Sequence, residues 1–107
     1  METNELIEKV KQWGRKHKLT DPIMQFAKVN EEVGEIGHEL TRGNNDSIEI
    51  EDAIGDTLVT VIILSDILGY DPIECLDMAY QTIAKRRGKT INRSFVKESW
   101  PYLLVDL

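Results

Sequence analysis

The stretch NEEVGEIGHEL, from Asn30 to Leu40, decides the fold of this chain. Its apolar residues recur every three or four positions, which predicts an amphipathic helix rather than a strand. We expect the apolar stripe to face the core; it consists of Val29, Val33, Ile36 and Leu40. Four glutamates lie in the same eleven residues: Glu31, Glu32, Glu35 and Glu39. The sequence therefore predicts a helix with a row of carboxylates beside its apolar stripe.

Start and stop residues outside this stretch divide the chain into four helices. Asp-Pro pairs at Asp21 and Asp71 predict helix starts, because aspartate caps a helix and proline suits its first position. Asp46 or Ser47 is expected to cap the third helix, and glycines follow the last three helices. The predicted helices span about 4–16, 22–42, 48–68 and 72–87. No stretch alternates with period two between turn signals, so the expected fold is an all-α four-helix bundle.

The chain length and its apolar segments predict one domain that associates with copies of itself. The 107 residues suit a single domain, with a helical bundle over 1–88 and a tail over 89–107. From Leu58 to Leu68 the third helix is apolar on nearly every side, which is typical of a buried helix and predicts a homodimer or homotetramer. The tail is expected to dock on the bundle or on a second subunit through Phe95, Val96, Trp100, Tyr102, Leu103 and Leu104.

Composition limits the classes of partner. A formal net charge of −6 argues against a nucleic acid polymer as ligand but allows a nucleotide, because a divalent cation can bridge carboxylates to phosphates. The single cysteine, Cys75, rules out an internal disulfide, suits a reducing cytoplasm and is expected to be buried. The longest apolar run, LVTVIIL, falls short of the roughly 20 residues of a membrane span, and no signal peptide pattern is present.

Carboxylates on two helices form the candidate site. Lys28, Glu32, Glu35 and Glu39 share one stripe of the second helix, with Glu31 at its edge. A solvated surface face is the ordinary interpretation, but like charges repel at these spacings and a solvated face usually alternates signs. The third helix adds Asp52 and Asp56, one turn apart, and we expect Asp56 to be partly buried. Antiparallel packing would make Glu32 and Glu35 face Asp52 and Asp56.

The type of ligand atom favours a hard cation. Four carboxylates without thiolates or paired histidines favour Mg²⁺, with Mn²⁺ as the alternative. A di-iron bundle would need two Glu-x-x-His units, and only Glu35–His38 provides one. We therefore expect His38 to be a surface residue or to lie behind the ligands.

The segments KVNEEVGEIGHEL and IEDAIGDTLVTVIILSDILGYD resemble the MazG-type all-α nucleoside triphosphate pyrophosphohydrolases. That family carries Glu-Glu-x-x-Glu on one helix and Glu-x-x-Asp on the next, and the resemblance extends over about 23–95. It implies Glu32, Glu35 and Asp56 as metal ligands. Ala53 stands where the first acid of Glu-x-x-Asp is expected, and Asp52 is the fourth candidate ligand.

The resemblance also implies a reaction and the roles of further residues. The family hydrolyses a nucleoside triphosphate to a monophosphate and pyrophosphate, and Glu31 or Glu35 would be the general base. Substrate-binding candidates are Lys28, Gln81, Lys85, Arg86, Arg87 and Lys89. The basic residues among 85–89 would equally complement the dipole of the fourth helix. Trp13, Phe26 and Tyr80 could stack on a base or belong to the core. Two other functions stay open: a non-catalytic helical interaction protein and a nucleotide sensor.

Overall fold

A computed structural model describes residues 1–98, which fall into two units divided after Pro72. Unit 1 contains α1, α2 and α3, and unit 2 contains α4 and a two-stranded antiparallel sheet. The prediction of four helices with short connections is confirmed. The elements are α1 (Thr3–Lys16), α2 (Pro22–Thr41), α3 (Ile48–Leu68), α4 (Pro72–Ala84), β1 (Gly88–Ile91) and β2 (Ser94–Lys97).

The helix ends follow the predicted capping chemistry. Asp21 Oδ1 accepts hydrogen bonds from the backbone N–H groups of Ile23 (2.9 Å) and Met24 (3.1 Å) at the start of α2. Of the two caps predicted for α3, Ser47 is used, and its hydroxyl accepts from the Ile50 N–H at 3.3 Å. Gly69 ends α3 in the left-handed region, with φ of 82°, where a side chain would be strained.

Helix α3 is the centre of unit 1, and both α1 and α2 pack on it. Its buried residues are Ile50, Ala53, Thr60 and Ile63. Gly14 lets α1 approach closely, because a Cβ there would lie 3.2 Å from two carbons of Ile63. Among the described residues one side of α3 exposes Ile54, Leu58, Val61 and Leu68, so its full burial, for which the sequence predicts a partner subunit, stays a prediction.

Helix α2 is rotated relative to the predicted orientation. The side packed on α3 carries the least exposed residues of the helix: Gln25, Val29, Glu32, Ile36 and Glu39. Val29 and Ile36 belong both to this stripe and to the predicted one. The other two predicted core residues, Val33 and Leu40, are 49% and 52% exposed. The rotation brings the row of glutamates towards α3, which is what positions the site.

Unit 2 departs most from the sequence prediction. Helix α4 ends at Ala84, three residues before the predicted end at Arg87, and the chain continues into a β-hairpin in which Lys89 pairs with Val96. The prediction that the chain contains no strands is therefore wrong. Gly88 is required because a Cβ there would clash with the backbone oxygen of Val96. Cys75 was expected to be buried and is exposed.

The turn of the hairpin explains why the strands were missed. Asn92 and Arg93 form its two-residue loop with φ of 50° and 68°. Paired positive φ values fit a type I′ turn, which usually carries Asn-Gly, and the arginine hides that signal. The docking prediction for the tail depended on Trp100, Tyr102, Leu103 and Leu104, which lie outside the described residues.

Within residues 1–98 no single helix is long and apolar enough to cross a membrane; only α3 and α4 taken together, as a bent pair, reach that length and composition.

Candidate metal centre

A cleft of about 350 Å³ between α2 and α3 contains the predicted carboxylates. Its α2 wall carries Glu31, Glu32, Glu35 and Glu39, and its α3 wall carries Glu49, Asp52, Ala53 and Asp56. The four candidate metal ligands, Glu32, Glu35, Asp52 and Asp56, thus line one space. Both candidate bases, Glu31 and Glu35, line it as well.

Antiparallel packing of α2 and α3 makes this cleft. Gln25, near the start of α2, donates from Nε2 to the backbone oxygen of Thr60 in the second half of α3, at 3.1 Å. At the other end of the pair, Glu39 and Glu49 line the same cleft. The short connection between Thr41 and Ile48 imposes this arrangement, as the loop length predicted.

The carboxylates differ in how far they are covered. The side chain of Glu32 is 14% exposed, and Glu39 is half-buried and accepts from Asn44 Nδ2 at 2.7 Å. Glu31, Glu35, Asp52 and Asp56 are exposed. The expectation that Asp56 is partly buried is wrong: Asp56 is exposed because it lines the open cleft between α2 and α3.

The cleft supplies the right type of ligand atom but not a finished coordination shell. Among residues 1–98, no three Asp, Glu, His or Cys side chains are close enough together to hold a metal ion as they stand. Oxygen donors alone line the acidic walls, which fits Mg²⁺ or Mn²⁺. Like charges repel each other in the absence of a cation, and exposed glutamate side chains can rotate inward. The residues present therefore have the donor chemistry that suits a hard divalent ion, although their side chains do not converge on one point.

Ala53 forms part of the cleft floor and is only 6% exposed. It occupies the position where the resemblance expects an acid, so a methyl group replaces a carboxylate at the buried side of the cleft. Asp52 lies beside it on the exposed side of α3. The α3 wall thus offers two exposed aspartates, one turn apart, in place of an acid at position 53.

Lys28 is the cation next to the carboxylates. Its Nζ lies 3.4 Å from Glu31 Oε1 and 3.5 Å from Glu32 Oε1. The hydrogen bond to Glu31, followed by its charge, raises the pKa of Lys28. Lys28 thus stays protonated beside the acidic cleft, where it pairs with Glu31 and Glu32.

A second space adjoins the cleft and was not predicted. This chamber, of about 610 Å³, shares Glu32 and Asp56 with the cleft. Its other lining residues are Trp13, Lys18, Leu19, Thr20, Asp21, Met24, Gln25, Lys28, Val59, Thr60 and Ile63. Of the predicted stacking candidates, Trp13 lines the chamber and its ring lies 4.3 Å from that of His17. Phe26 is exposed outside the chamber, and Tyr80 belongs to unit 2.

The remaining substrate-binding candidates belong to unit 2. Gln81 lies in α4 and donates to Asp77 Oδ1 at 3.3 Å. Lys85, Arg86 and Arg87 follow the end of α4, so they do not form the last turn of a helix as predicted. Arg87 Nε lies 3.2 Å from Glu98 Oε2, and Lys89 is in β1. The hairpin that starts at Gly88 replaces the predicted end of the helix.

Comparison with known proteins gives a structural likeness without a sequence match. The fold is similar to the crystal structure of the Bacillus-conserved MazG protein, a nucleotide pyrophosphohydrolase, with a TM-score of 0.67 and 20% identity. That match covers 78% of this chain and 90% of the MazG chain. No family model matches the sequence, and no curated protein sequence matches it. The likeness therefore establishes a MazG-like helical fold.

Proposed function

We propose that this chain is a Mg²⁺-dependent nucleoside triphosphate pyrophosphohydrolase that releases a monophosphate and pyrophosphate. The observation that carries the proposal is the cleft in which carboxylates of α2 and α3 face each other. The MazG-like fold supports it, because that neighbour is a nucleotide pyrophosphohydrolase. Removal of unwanted nucleotides from the pool is a role that suits such an activity.

Four residues are assigned to metal binding: Glu32, Glu35, Asp52 and Asp56. When bound, Mg²⁺ (or Mn²⁺) would neutralise phosphate charge and lower the pKa of a coordinated water. The protein's own part is to orient the triphosphate over the carboxylates. Lys28 can exchange its pairing with Glu31 and Glu32 for a phosphate oxygen. The assignment of phosphate binding to Gln81, Lys85, Arg86, Arg87 and Lys89 stays a prediction from the sequence, because these residues belong to unit 2.

The general base is Glu35 or Glu31. The base accepts a proton from water as the water oxygen bonds to phosphorus, and the bridging bond between the α- and β-phosphates breaks. Glu31 is paired with Lys28, whereas no described residue forms an ion pair with Glu35. This difference favours Glu35 as the acceptor, provided that Glu32, Asp52 and Asp56 hold the metal and leave Glu35 unliganded, because a metal-bound carboxylate is a poorer base.

Pyrophosphate release tests the activity. The protein is incubated with Mg²⁺ and a panel of canonical and modified nucleoside triphosphates, and pyrophosphate and orthophosphate are measured separately. We expect pyrophosphate, and Glu35→Gln should remove its release. Glu51→Gln is a matched control, because Glu51 is exposed on α3 outside the cleft. Orthophosphate as the product would contradict cleavage between the α- and β-phosphates. Release of neither product from any nucleotide of the panel would contradict the proposed enzymatic activity.

Ala53 favours two alternative functions. With a buried methyl group at the expected acid position, the chain could have kept the fold as a non-catalytic interaction protein or nucleotide sensor. A sensor would bind nucleotide with Mg²⁺ and release no pyrophosphate. An interaction protein would respond to neither the metal nor the nucleotide.

Assembly and location complete the proposal. The exposed apolar stripe of α3, formed by Ile54, Leu58, Val61 and Leu68, supports a homodimer or homotetramer. The proposed location is the cytoplasm, because the proposed nucleoside triphosphate substrates are present there. Neither a nucleic acid polymer nor a membrane is a proposed partner.

A further inference from the structure

We infer that the chamber beside the cleft binds the nucleobase and that Gln25 and Thr60 select bases with an exocyclic amino group. The inference deepens the proposed function and rests on it for the placement of the phosphates. The chamber and the cleft meet at Glu32 and Asp56. A nucleotide with its phosphates at the carboxylates would thus place its base in the chamber.

The chamber has the size and walls expected for a flat aromatic ligand. Its volume of about 610 Å³ falls within the range of small-molecule sites, roughly 300–1,000 Å³. Trp13, Leu19, Met24, Val59 and Ile63 supply apolar wall. An indole ring can stack on any base, because every base has a π face. Stacking alone would not select among bases, so selection falls to the polar groups.

Gln25 is a buried polar residue of the chamber wall and is 7% exposed. Its Nε2 donates to the backbone oxygen of Thr60, and because a carbonyl can only accept, this bond fixes which end of the amide is which. No described residue donates to Oε1, yet Oε1 is not a fully enclosed atom. The amide is thus held in one orientation, and its Oε1 keeps some exposed surface and remains free to accept a hydrogen bond.

Thr60 contributes a second acceptor on the same wall. Its hydroxyl proton is used, since Oγ1 donates to the backbone oxygen of Thr57 at 2.8 Å. Any hydrogen bond from Thr60 Oγ1 into the chamber must therefore be accepted rather than donated. Thr60 is buried and lines the chamber next to Gln25.

Acceptors on two residues of the chamber wall, Gln25 and Thr60, would match an amino group, which carries two N–H donors. Cytosine and adenine have such a group, while uracil and hypoxanthine carry a keto oxygen at the same place. The keto oxygen would face the two acceptors without a proton between them and leave them unpaired. An unpaired buried acceptor weakens binding, and we expect amino bases to bind about tenfold tighter than their keto counterparts.

Nucleoside binding tests this selection separately from metal binding and hydrolysis. Deoxycytidine, deoxyuridine, adenosine and inosine are titrated without metal into the full chain, and NMR follows the Trp13 indole and Gln25 amide signals. The expected result is about tenfold tighter binding of deoxycytidine than deoxyuridine, and of adenosine than inosine. Equal affinities within each pair, or no binding of any nucleoside, would overturn the inference.

Two isosteric variants assign the selection to the named residues. Gln25→Met and Thr60→Val remove one acceptor each at nearly constant volume, and each should reduce the amino-to-keto ratio. Gln12→Met, at an exposed position of α1, should leave the ratio unchanged. An unchanged ratio in both folded chamber variants would contradict the assignment. Selective nucleoside binding without hydrolysis would support the base-selecting chamber and contradict the proposed hydrolase activity. Hydrolysis without selective binding would support the activity and contradict the chamber.

Discussion

Arg15 and Asp66 form a two-point ion pair that joins α1 to α3. Arg15 Nε lies 2.9 Å from Asp66 Oδ2, and Arg15 Nη2 lies 2.6 Å from Oδ1. The carboxylate of Asp66 is 18% exposed and the arginine is more open to solvent. The pair lies next to the close approach of Gly14 to Ile63 and helps to fix α1, which carries Trp13, against the core helix.

The stability of the fold should fall in acid through Asp66. Its hydrogen bond to Arg15 lowers the pKa of the Asp66 carboxyl, and burial opposes this only in part. A carboxyl with a lowered pKa stabilises the fold above its unfolded pKa of about 3.9, and this contribution disappears as the pH falls through the folded pKa. Asp66→Asn should lower the urea midpoint at pH 7 and reduce the difference between pH 7 and pH 3. Asp46→Asn, at an exposed loop position, is the control. Equal pH dependence in Asp66→Asn and the unmodified protein would contradict the role of the pair.

Gly14→Ala should destabilise unit 1 by about 1 kcal/mol. Overpacking of a core costs about 1–3 kcal/mol, and the gain in helix propensity returns about 1 kcal/mol of it. The new methyl group would lie 3.2 Å from Cγ1 and Cγ2 of Ile63. Gly34→Ala is the matched control: nothing lies within 4 Å of its new methyl group, so it should gain about 0.5–1 kcal/mol. Chemical denaturation measures both, and a stabilised Gly14→Ala variant would show that α1 does not pack so closely.

Leu58→Lys should weaken self-association. Leu58 is 59% exposed in the middle of the apolar stripe of α3, and a lysine there would bring a charge into the proposed subunit interface. Light scattering coupled to gel filtration should show a dimer or tetramer for the unmodified chain and a smaller species for the variant. Gln12→Lys adds the same charge at an exposed polar position of α1 and should leave the assembly intact. A monomeric unmodified protein would refute the proposed oligomer.

Helix positions could be predicted because their signals are local. The Asp21 cap, Pro22 and Gly69 act within one turn of their own helix, and the structure uses all three as predicted. The rotation of α2 could not be predicted in the same way, because Val29 and Ile36 fit two overlapping stripes. The choice between the stripes depends on packing against α3, which no local pattern encodes.

The candidate site also has a part that local sequence patterns predict and a part that depends on packing between distant residues. The row of carboxylates is visible in the sequence, because charge at helical spacing needs only the period of the helix. The chamber is not, because it is formed by residues distant in the chain, such as Trp13, Gln25 and Thr60. Buried Gln25 and Thr60 resemble ordinary polar helix residues until the hydrogen bond between them is known. The hairpin was missed since Arg93 occupies a turn position where glycine is usual.

A metal titration tests most directly the central claim that carboxylates of α2 and α3 meet around one divalent ion. Thermal unfolding is measured with increasing Mg²⁺ or Mn²⁺ for the unmodified chain, Glu35→Gln, Asp56→Asn and the control Glu51→Gln. A ligand at 100 times its Kd stabilises a fold by about 2.7 kcal/mol. We predict a rising Tm for the unmodified chain and Glu51→Gln, with little or no rise for the two cleft variants. A Tm of the unmodified chain that does not change with metal concentration, or an equal rise in all four proteins, would contradict the account.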